Sequence, residues 1–598
     1  MPPNSPPPQP GVAFALGTLP GVRRDGTVFD SRFYSDAVWT RFQRGKPRKM
    51  GGYQLMSDLV SGPVREVYVD ARSTVNTAHC FSPFGIERVV FDAEGNGGGL
   101  SIRTPSGFAA NVDYTWQSSS MFDSGGGGGA YLIGAAAPDA LNIASDVAGP
   151  VYYGDLGGTG AFAAVSDGSP ILVSGGCCVL QPFLFLYGSN GLIRNSKEND
   201  FSAGTGWTGG FSNTANVAAT KIVKGLPMRG GGNSPAGLFW SLDSLIRVSF
   251  QNDGTTVWRY DTVSAAISML AKNGVVEHDG VYYWPGVDRF FLYNGVVQEL
   301  PNDMNLNFFF DNVNPTHRNK VWATKVPRFG EIWWFFPFGD STECNHAIIY
   351  NIKEKTWYDT PLTRSAGASP QIFTRPILAG GDARAVYRCE FGSMSSGLFS
   401  IGQNVYTGLT VPGALLARGV IRRLTSTYAE IELLNGILPE VGQLLSNVAF
   451  GGSATSNMIT SVTVVELNSL WTHEKGTDRV YKSEQTAIPA AFETDRFNFM
   501  SGGPSGGAPA GPNVQTRLTR LEPDFILSGS LQLTVRGTSY AQSPVVDGPP
   551  YTITPTTEFV DSREQRREMS LRFESNEVGG DFQMGHVFVA LEPGDVRG

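Results

Sequence analysis

The fold is decided by DGVYYWPGVDRFFLYNGVVQEL (Asp279–Leu300) and GEIWWFFPFGDSTECNHAIIYNIKEKTWYDT (Gly330–Thr360), which repeat one arrangement of short strands. In each, a glycine precedes a blunt aromatic strand, and a second apolar strand ends in Tyr-Asn before a short outward strand. A looser third copy, GLFWSLDSLIRVSFQNDGTTVWRYDT, spans Gly237–Thr262, and the aligned glycines lie 43 and 50 residues apart. This period is typical of β-propeller blades, each built from four antiparallel strands around an axis.

The aromatic rows at the centre of the repeats are Tyr282–Trp284 and Trp333–Phe336. Their position predicts that they fill the core between blades, rather than stacking on sugars or bases. Short strands separated by Gly, Asn and Asp turns continue over 151–404 with almost no helical periodicity. At about 40–45 residues per blade, this span predicts about six blades. We therefore expect an all-β propeller.

Length and composition indicate several domains in one turn-rich globular chain. The 598 residues include 73 glycines and 37 prolines, and 41% are apolar, which favours two to four domains with packed cores. We divide them into an extended Pro-rich arm (1–18), an N-terminal β-rich docking or platform region with the first propeller strands (19–150), the propeller blades (151–404), an inserted β-rich module (405–487) and a C-terminal β region that completes the propeller and platform (488–598). Within the insert, Ala414–Leu424 is open to interpretation as a short helix.

Charge and cysteine content narrow the class further. A formal net charge of −8 gives no basic footprint for tight nucleic-acid binding. The five cysteines form no C-x-x-C pair, so we expect reduced and mostly buried thiols. Neither a signal peptide nor a membrane-length apolar run is apparent, which predicts a soluble protein made in the cytoplasm.

Motifs that carry chemistry are lacking in the sequence. The six histidines show no ligand spacing, and Cys344 with His346 supplies only two metal ligands. There is no G-x-S-x-G, Walker or dinucleotide motif. The nearest approach to the repeated boxes of sialidase-like propellers is QNDGTTVW (Gln251–Trp258), which occurs once and fits poorly. We predict no enzymatic activity, no metal site and no cofactor.

Both ends of the chain carry a resemblance to a known family. LPGVRRDGTVFDSRFYSDAVWTRFQRGKPRKMGGY (Leu19–Tyr53) resembles the opening of the tail nozzle proteins of short-tailed bacteriophages, also called tail tubular or packaged-DNA stabilisation proteins. The matching positions are Pro20, Gly21, Arg24, Asp25, Gly26, Trp39, Arg41, Phe42, Gly45, Pro47, Lys49, Gly51 and Gly52. The C-terminal strands around Phe582 and Gly585 resemble the ending of the same proteins, and Asn195–Trp207 is similar to a feature of their first blade.

The resemblance implies a structural virion protein. Such a protein is synthesised in the host cytoplasm and forms a homohexamer in the phage tail, beneath the portal and the tail adaptor ring. It retains packaged double-stranded DNA and then opens as the conduit for ejection, without sequence-specific binding. Tail fibres or spikes are further candidate partners. An acidic chain suits such a lumen, because each cation–phosphate contact would hold the duplex back.

Two groups of residues are assigned within this hypothesis. The basic cluster Arg41, Arg44, Lys46, Arg48 and Lys49 is either a surface that docks on an acidic adaptor ring or a solvated turn. The glycine tract Gly125, Gly126, Gly127, Gly128 and Gly129 is predicted to be a mobile loop.

Two other functions stay open at this point. One is a carbohydrate-binding or glycan-degrading propeller of a tail tip, and the other is a monomeric propeller scaffold from a cell. Shortened polysaccharide chains would indicate the first, and a stable monomer that ignores adaptor rings would indicate the second.

Overall fold

The computed structural model describes residues 12–27, 31–71, 75–123, 128–139, 144–228, 235–253, 256–370, 375–392, 394, 398–408, 417–447, 457–498, 514–540 and 542–596. Nearly all regular structure in these ranges is β-strand. The helical segments are the α-helix Leu306–Asn312 and the 3-10 turns Ser189–Gly191, Lys272–Gly274 and Arg318–Lys320. Within the same ranges, no helix is long and apolar enough to cross a membrane.

Six consecutive four-stranded antiparallel units follow one another along the chain. Blade 1 comprises Glu66–Asp70, Asn76–Ser82, Gly85–Phe91 and Gly97–Ile102. Blade 2 comprises Tyr114–Asp123, Gly129–Pro138, Gly149–Asp155 and Ala163–Ala164, with Leu172–Val173 added. Blade 3 comprises Gly176–Leu180, Phe183–Tyr187, Leu192–Asn195 and Asn213–Asn216. Blade 4 comprises Ile222–Pro227, Ala236–Ser241, Leu245–Phe250 and Trp258–Ser264; blade 5 comprises Val276–His278, Val281–Pro285, Phe290–Tyr293 and Val297–Leu300; blade 6 comprises Trp322–Val326, Glu331–Phe336, His346–Asn351 and Thr356–Pro361. The first strand of each blade lies nearest the axis.

A seventh blade closes the ring and is assembled from distant parts of the chain. Ala366–Ala368 pairs with Ile377–Ala379, which pairs with the C-terminal half of Ile459–His473, and that strand pairs with Tyr53–Gly62. Its innermost strand lies beside those of blades 6 and 1. The propeller is confirmed, with seven blades where the sequence predicted about six. The sequence placed about six blades within 151–404, but that span holds blades 3 to 6 with parts of blades 2 and 7, and the propeller begins earlier, at Glu66. The strands of the seventh blade are too far apart in sequence to appear as one repeat.

The three sequence repeats are blades 4, 5 and 6, and their aromatic rows are core as predicted. Tyr282 and Trp284 pack on Trp240 of blade 4, with ring centroids 5.8 Å apart in both pairs. Trp334 packs on Phe290 of blade 5 at 5.1 Å. Trp333 and Phe335 point to the opposite face, where they join the core shared with the chain termini. In the strand Glu331–Phe336 the predicted inter-blade core is confirmed for one face, while the other face packs against the platform.

The two chain termini together form a β platform on blade 6, as the sequence predicted. Its N-terminal strands are Val12–Ala15, Leu19–Val22, Phe33–Tyr34, Asp36–Val38, Thr40–Gln43 and Lys46–Lys49; its C-terminal strands are Ala490–Glu493, Val514–Glu522, Phe525–Ser528, Leu531–Thr538, Val546–Ile553, Val560–Arg566, Glu568–Ser575, Asp581–Met584 and Phe588–Val596. Strands from both ends share each of three sheets. Leu531, Leu533 and Val535 alternate along one C-terminal strand, and their side chains, each at most 1% exposed, lie in the platform core.

An inserted β module extends from the seventh blade. Its strands are Arg384–Phe391, Asn404–Gly408, Ala417–Leu424, Tyr428–Leu433 and Leu444–Ser446, followed by the N-terminal half of Ile459–His473. Hydrogen bonds of 2.8 Å from Gly442 N to Ile459 O and from Ile459 N to Gln443 O join the start of Leu444–Ser446 to the start of Ile459–His473. The module therefore begins at Arg384, before the predicted residue 405. Arg479–Tyr481 then pairs with Tyr53–Gly62 and with Glu484–Thr486.

The interpretation of Ala414–Leu424 as a helix is wrong over its described part, because Ala417–Leu424 is a strand. Its inward positions alternate with a period of two, and one of them is an arginine. Arg423 is 2% exposed and forms ion pairs with Glu430 in the same module and with Glu87 in blade 1, at 3.3 and 2.9 Å. A charged residue in the inward register hides the strand alternation in the sequence.

Blade 1 contains a buried histidine that makes stability depend on pH. Burial, together with the charges of Arg103 and Arg88, lowers the pKa of His79 to about 3. In the unfolded chain this histidine titrates near 6.5. Below that pH the unfolded chain binds a proton at His79, whereas the folded protein keeps this imidazole neutral. The free energy of unfolding therefore falls as the pH falls from about 6.5 towards 3.

We expect His79→Gln to remove a pH-dependent loss of about 1.4 kcal/mol per pH unit below 6.5. Urea unfolding of wild type and variant at pH 7, 6 and 5 measures this difference. His586→Gln, a change at an exposed histidine, serves as the control and should keep the wild-type pH dependence. Parallel curves for His79→Gln and wild type would contradict a neutral buried imidazole.

Candidate functional site

The residues that carry the family resemblance build the joint between the platform and blade 6. Arg24 donates to Asp359 of blade 6 through Nε at 2.9 Å and pairs with Asp36 of the platform, also at 2.9 Å. Asp25 accepts hydrogen bonds from the backbone amides of Asn307 and Phe308, at 2.8 and 2.9 Å. The N-terminal segment is therefore fastened to the propeller at a fixed angle.

Arg41 is the most buried charge of this joint. Its side chain is 1% exposed and pairs with Glu331 of blade 6 and with Glu474 beyond the seventh blade. Its guanidinium lies 3.7 Å from the ring centroid of Phe329. Burial alone would lower the pKa of Arg41, but the two carboxylates outweigh it and raise the pKa. One cation thus holds together the platform, blade 6 and the segment after the seventh blade.

Two glycines of the motif are required by close backbone approach. Gly21 has φ +102°, and a Cβ there would lie 2.6 Å from Met304 Cε and 3.0 Å from the Trp357 carbonyl oxygen. A Cβ on Gly52 would lie 2.3 Å from the Asp478 carbonyl oxygen. Neither position accepts a side chain without moving the backbone. The resemblance is therefore a signature of how the platform packs on the propeller.

The predicted docking cluster lies on the hairpin Thr40–Gln43 and Lys46–Lys49, and the structure divides it. Arg41 and Lys49 are 1% and 2% exposed, and Lys49 Nζ donates to the Gly580 carbonyl at 2.7 Å. These two are structural, because buried side chains cannot contact an adaptor ring. Arg44 is exposed at the turn, while Lys46 and Arg48 are half-buried. Docking on an adaptor ring stays a prediction for these three residues, which we call the hairpin cations.

The propeller axis is closed at one mouth around Asp139, which follows the second strand of blade 2. Lys221, at the start of blade 4, places Nζ 3.2 Å from Asp139 Oδ1, and Lys272, before blade 5, places Nζ 2.7 Å from Oδ2. Asn319, before blade 6, donates to the Asp139 carbonyl at 3.0 Å. In the seven-bladed ring, blades 5 and 6 lie opposite blade 2, so the bonds from Lys272 and Asn319 span the axis. Burial lowers the pKa of Lys272 to about 8, although Asp139 opposes it.

Further side chains cross the axis below this mouth. Gln117 donates to the Val223 carbonyl at 2.8 Å, and Asn273 donates to the Trp116 carbonyl at 3.1 Å. A cavity of about 160 Å³ remains, lined in part by Glu66 and other inner-strand residues. A DNA duplex, whose major groove alone is about 12 Å wide, cannot pass through this space.

In the sequence the glycine tract falls between Tyr114–Asp123 and Gly129–Pro138, two strands that pair as a hairpin. Gly125, Gly126 and Gly127 are outside the described residues. Gly128 has φ +72°, and Gly129 begins the second strand. Phe122, beside the tip, is 51% exposed. The predicted mobility stays a prediction.

The five cysteines, Cys80, Cys177, Cys178, Cys344 and Cys389, are buried and unpaired, as expected. Burial raises the pKa of Cys177 to about 12 and raises the pKa of the other four as well. Buried thiols with raised pKa are inert. Across the described ranges, no group of three or more His, Cys, Asp or Glu side chains is placed to hold a metal ion.

Sequence reasoning missed the residues that close the axis. Asp139, Lys221, Lys272 and Asn319 come from four separate loops, and no spacing along the chain links them. For the joint around Arg41, the sequence offers a signal at Glu331, a carboxylate directly before the apolar run IWWFF. A charge next to such a strand indicates a buried partner, here Arg41.

Comparisons with known proteins leave the chain without an assigned family. No family model matches it, and no curated protein does. Among solved structures, it is similar to the WD40 beta propeller domain of Doa1, with 13% sequence identity, a TM-score of 0.34, and coverage of 55% of this chain and 93% of that one. The β-propeller architecture is established by the strand pairing within the blades.

Proposed function

We propose that the protein is a structural component of a phage virion: the distal tail nozzle of a short-tailed phage, without enzymatic activity. Six copies assemble beneath the tail adaptor ring as a tube that retains packaged DNA and opens for ejection. The acidic chain, with a net charge of −8, suits a lumen through which a duplex must slide. Loops that constrict the lumen provide the gate.

The observation that carries this proposal is the joint between platform and propeller. The motif residues Arg24, Asp25 and Arg41 each bridge the N-terminal segment to blade 6 or to the helix before it. The motif that resembles nozzle proteins thus encodes one two-part architecture and no catalytic geometry. Such an architecture supplies a rigid wall element with a separate face for docking.

The closed axis adds a constraint on where DNA travels. Lys221 and Lys272 reach across to Asp139 with side chains at most 2% exposed, so the propeller axis is closed at this mouth. In the proposed hexamer the conduit is therefore the space enclosed by six subunits. Ring closure also multiplies weak contacts between copies into a durable tube.

We expect the triple variant Arg44→Ala/Lys46→Ala/Arg48→Ala to weaken assembly on the adaptor ring by at least about tenfold, since each cation lost at a rim costs about 0.2–1 kcal/mol. Six copies act together, which amplifies this loss. Sedimentation of the chain with portal–adaptor complexes from the same phage measures it, and low-resolution imaging counts the subunits. The weakening should diminish at high salt.

The matched control replaces three exposed cations elsewhere, Arg259, Arg289 and Lys482, by alanine. It should assemble as the wild type does. A wild-type chain that stays monomeric with adaptor present would overturn the nozzle. Shortened chains after incubation with host polysaccharide would instead favour a glycan-degrading tail-tip propeller.

A further inference from the structure

A cavity of about 350 Å³ lies where blade 6 meets blade 7, away from the axis and from the docking hairpin. Its lining is Tyr53, Asn345, Pro361, Leu362, Thr363, Arg364, Gly381, Asp382, Trp471 and Arg479. The volume is near the lower end of ligand sites, which span about 300–1,000 Å³. Two arginines in one small cavity raise the question of what balances their charge.

Arg364 is buried in the wall of this cavity, with 3% of its surface exposed. Its Nε donates to His473 Nε2 at 3.0 Å, and its Nη1 donates to the Thr363 carbonyl at 2.7 Å. Its Nη2 is buried and has no hydrogen-bond partner in the described part of the chain. Because a buried cation is costly without a counter-charge, an anion bound in the cavity would stabilise this guanidinium.

Tyr53 and Asp382 compensate the charge of Arg364 only in part, because burial outweighs their effect on its pKa. Arg479 is already paired with Asp382, at 2.7 Å between Nη2 and Oδ2. Burial holds the pKa of His473 well below its usual value, with Arg364 lowering it further, so the imidazole is neutral. Burial also lowers the pKa of Arg364, to about 10, which leaves the guanidinium charged at neutral pH. The cavity carries one net positive charge.

Aromatic rings hold the two guanidinium groups in place. The Trp471 ring lies 5.4 Å from the Cζ of Arg364 and 5.2 Å from that of Arg479. Tyr53 lies 4.8 Å from the Arg364 Cζ and packs edge-on against Trp471 at 5.1 Å. An arginine held in this way offers its planar donors in a fixed direction, which suits a planar acceptor.

We infer that this cavity binds a carboxylate group, which neutralises the charge of Arg364. A carboxylate fits better than a phosphate, since one positive charge balances a monoanion and a phosphomonoester carries about −1.5 to −2 at pH 7. The group comes from a small molecule or from an acidic side chain of an inserted protein segment. The inference does not depend on the proposed nozzle.

The test compares carboxylates with neutral amides of the same shape on the full chain. Sodium acetate and sodium benzoate are titrated against acetamide and benzamide at constant ionic strength, with calorimetry and the thermal-unfolding midpoint as readouts. For a protein segment, the probe is the capped peptide Ala-Ala-Glu-Ala-Ala against its glutamine counterpart. We expect the carboxylate to bind at least about tenfold more tightly, as for a charge-assisted hydrogen bond.

Binding by the free acids identifies a small-molecule source, and binding by the glutamate peptide alone identifies a protein segment. Arg364→Met should abolish the response, while Arg259→Met, a change at an arginine with 61% of its side chain exposed on blade 4, should keep it. Equal responses to carboxylate and amide, or no response in either arm, would overturn the inference. Since these comparisons use the wild-type chain, they decide the question even if Arg364→Met fails to fold.

Discussion

Arg41→Met is expected to destabilise the protein by about 3–5 kcal/mol, the cost of leaving buried carboxylates without their cation. Glu331 is 0% exposed and Glu474 is 10% exposed, and both lie within 2.9 Å of the Arg41 guanidinium. Methionine keeps much of the packing on Phe329 but supplies no charge. Chemical denaturation should show an earlier first transition, because the platform separates from blade 6.

The control for this change lies three residues away. Arg44 is exposed at the turn of the same hairpin, so Arg44→Met should change the free energy of unfolding by no more than about 0.5 kcal/mol. The double variant Arg41→Met/Glu331→Gln should lose less unfolding free energy than the sum of its single changes, because it no longer buries an unpaired Glu331 carboxylate. Additive losses would show that Arg41 acts through packing alone.

The fold was largely predictable from the sequence because its blades are local. In blades 5 and 6 every strand pairs with its neighbour in the chain, so the hydrophobic rows appear as a repeat. The platform was predictable for another reason. Its C-terminal strand Leu531–Thr538 alternates with a period of two, as at Leu531, Leu533 and Val535, whereas the N-terminal strand Thr40–Gln43 does not.

What escaped prediction depends on contacts between distant segments. The seventh blade pairs Tyr53–Gly62 with Ile459–His473, and no local signal reports such a pairing. The burial of Arg41 and Lys49 was also hidden, because a basic run at a turn has the same sequence whether its cations are solvated or paired. Only the positions of Glu331 and of the Gly580 carbonyl decide between the two.

Candidate functional residues were predictable only where the sequence groups them. The hairpin cations are adjacent in the chain, so they could be proposed from composition. The arginines of the cavity, Arg364 and Arg479, are separated by the whole inserted module and meet through the strand that holds Trp471. Their meeting is a consequence of the composite blade, and its discovery had to wait for the fold.

Asp139→Asn is expected to cost about 3–5 kcal/mol, because it removes the anion from between two buried ammonium groups. Lys221 and Lys272 are 2% and 1% exposed, and an amide satisfies neither charge. Burial already lowers the pKa of Lys272 to about 8 with Asp139 present. Without that carboxylate the lysines repel one another, so the three blades that meet at this mouth of the axis lose their common contact.

The matched control is Asp146→Asn, a change at an exposed aspartate. It should change the free energy of unfolding by no more than about 0.5 kcal/mol. The pH dependence supplies a second check. In Asp139→Asn the folded state sheds lysine protons at lower pH than the unfolded chain, so its deficit should shrink as the pH rises from 7 to 9. A deficit that stays constant over this range would mean that lost hydrogen bonds, and not repulsion between the two lysines, destabilise the axis.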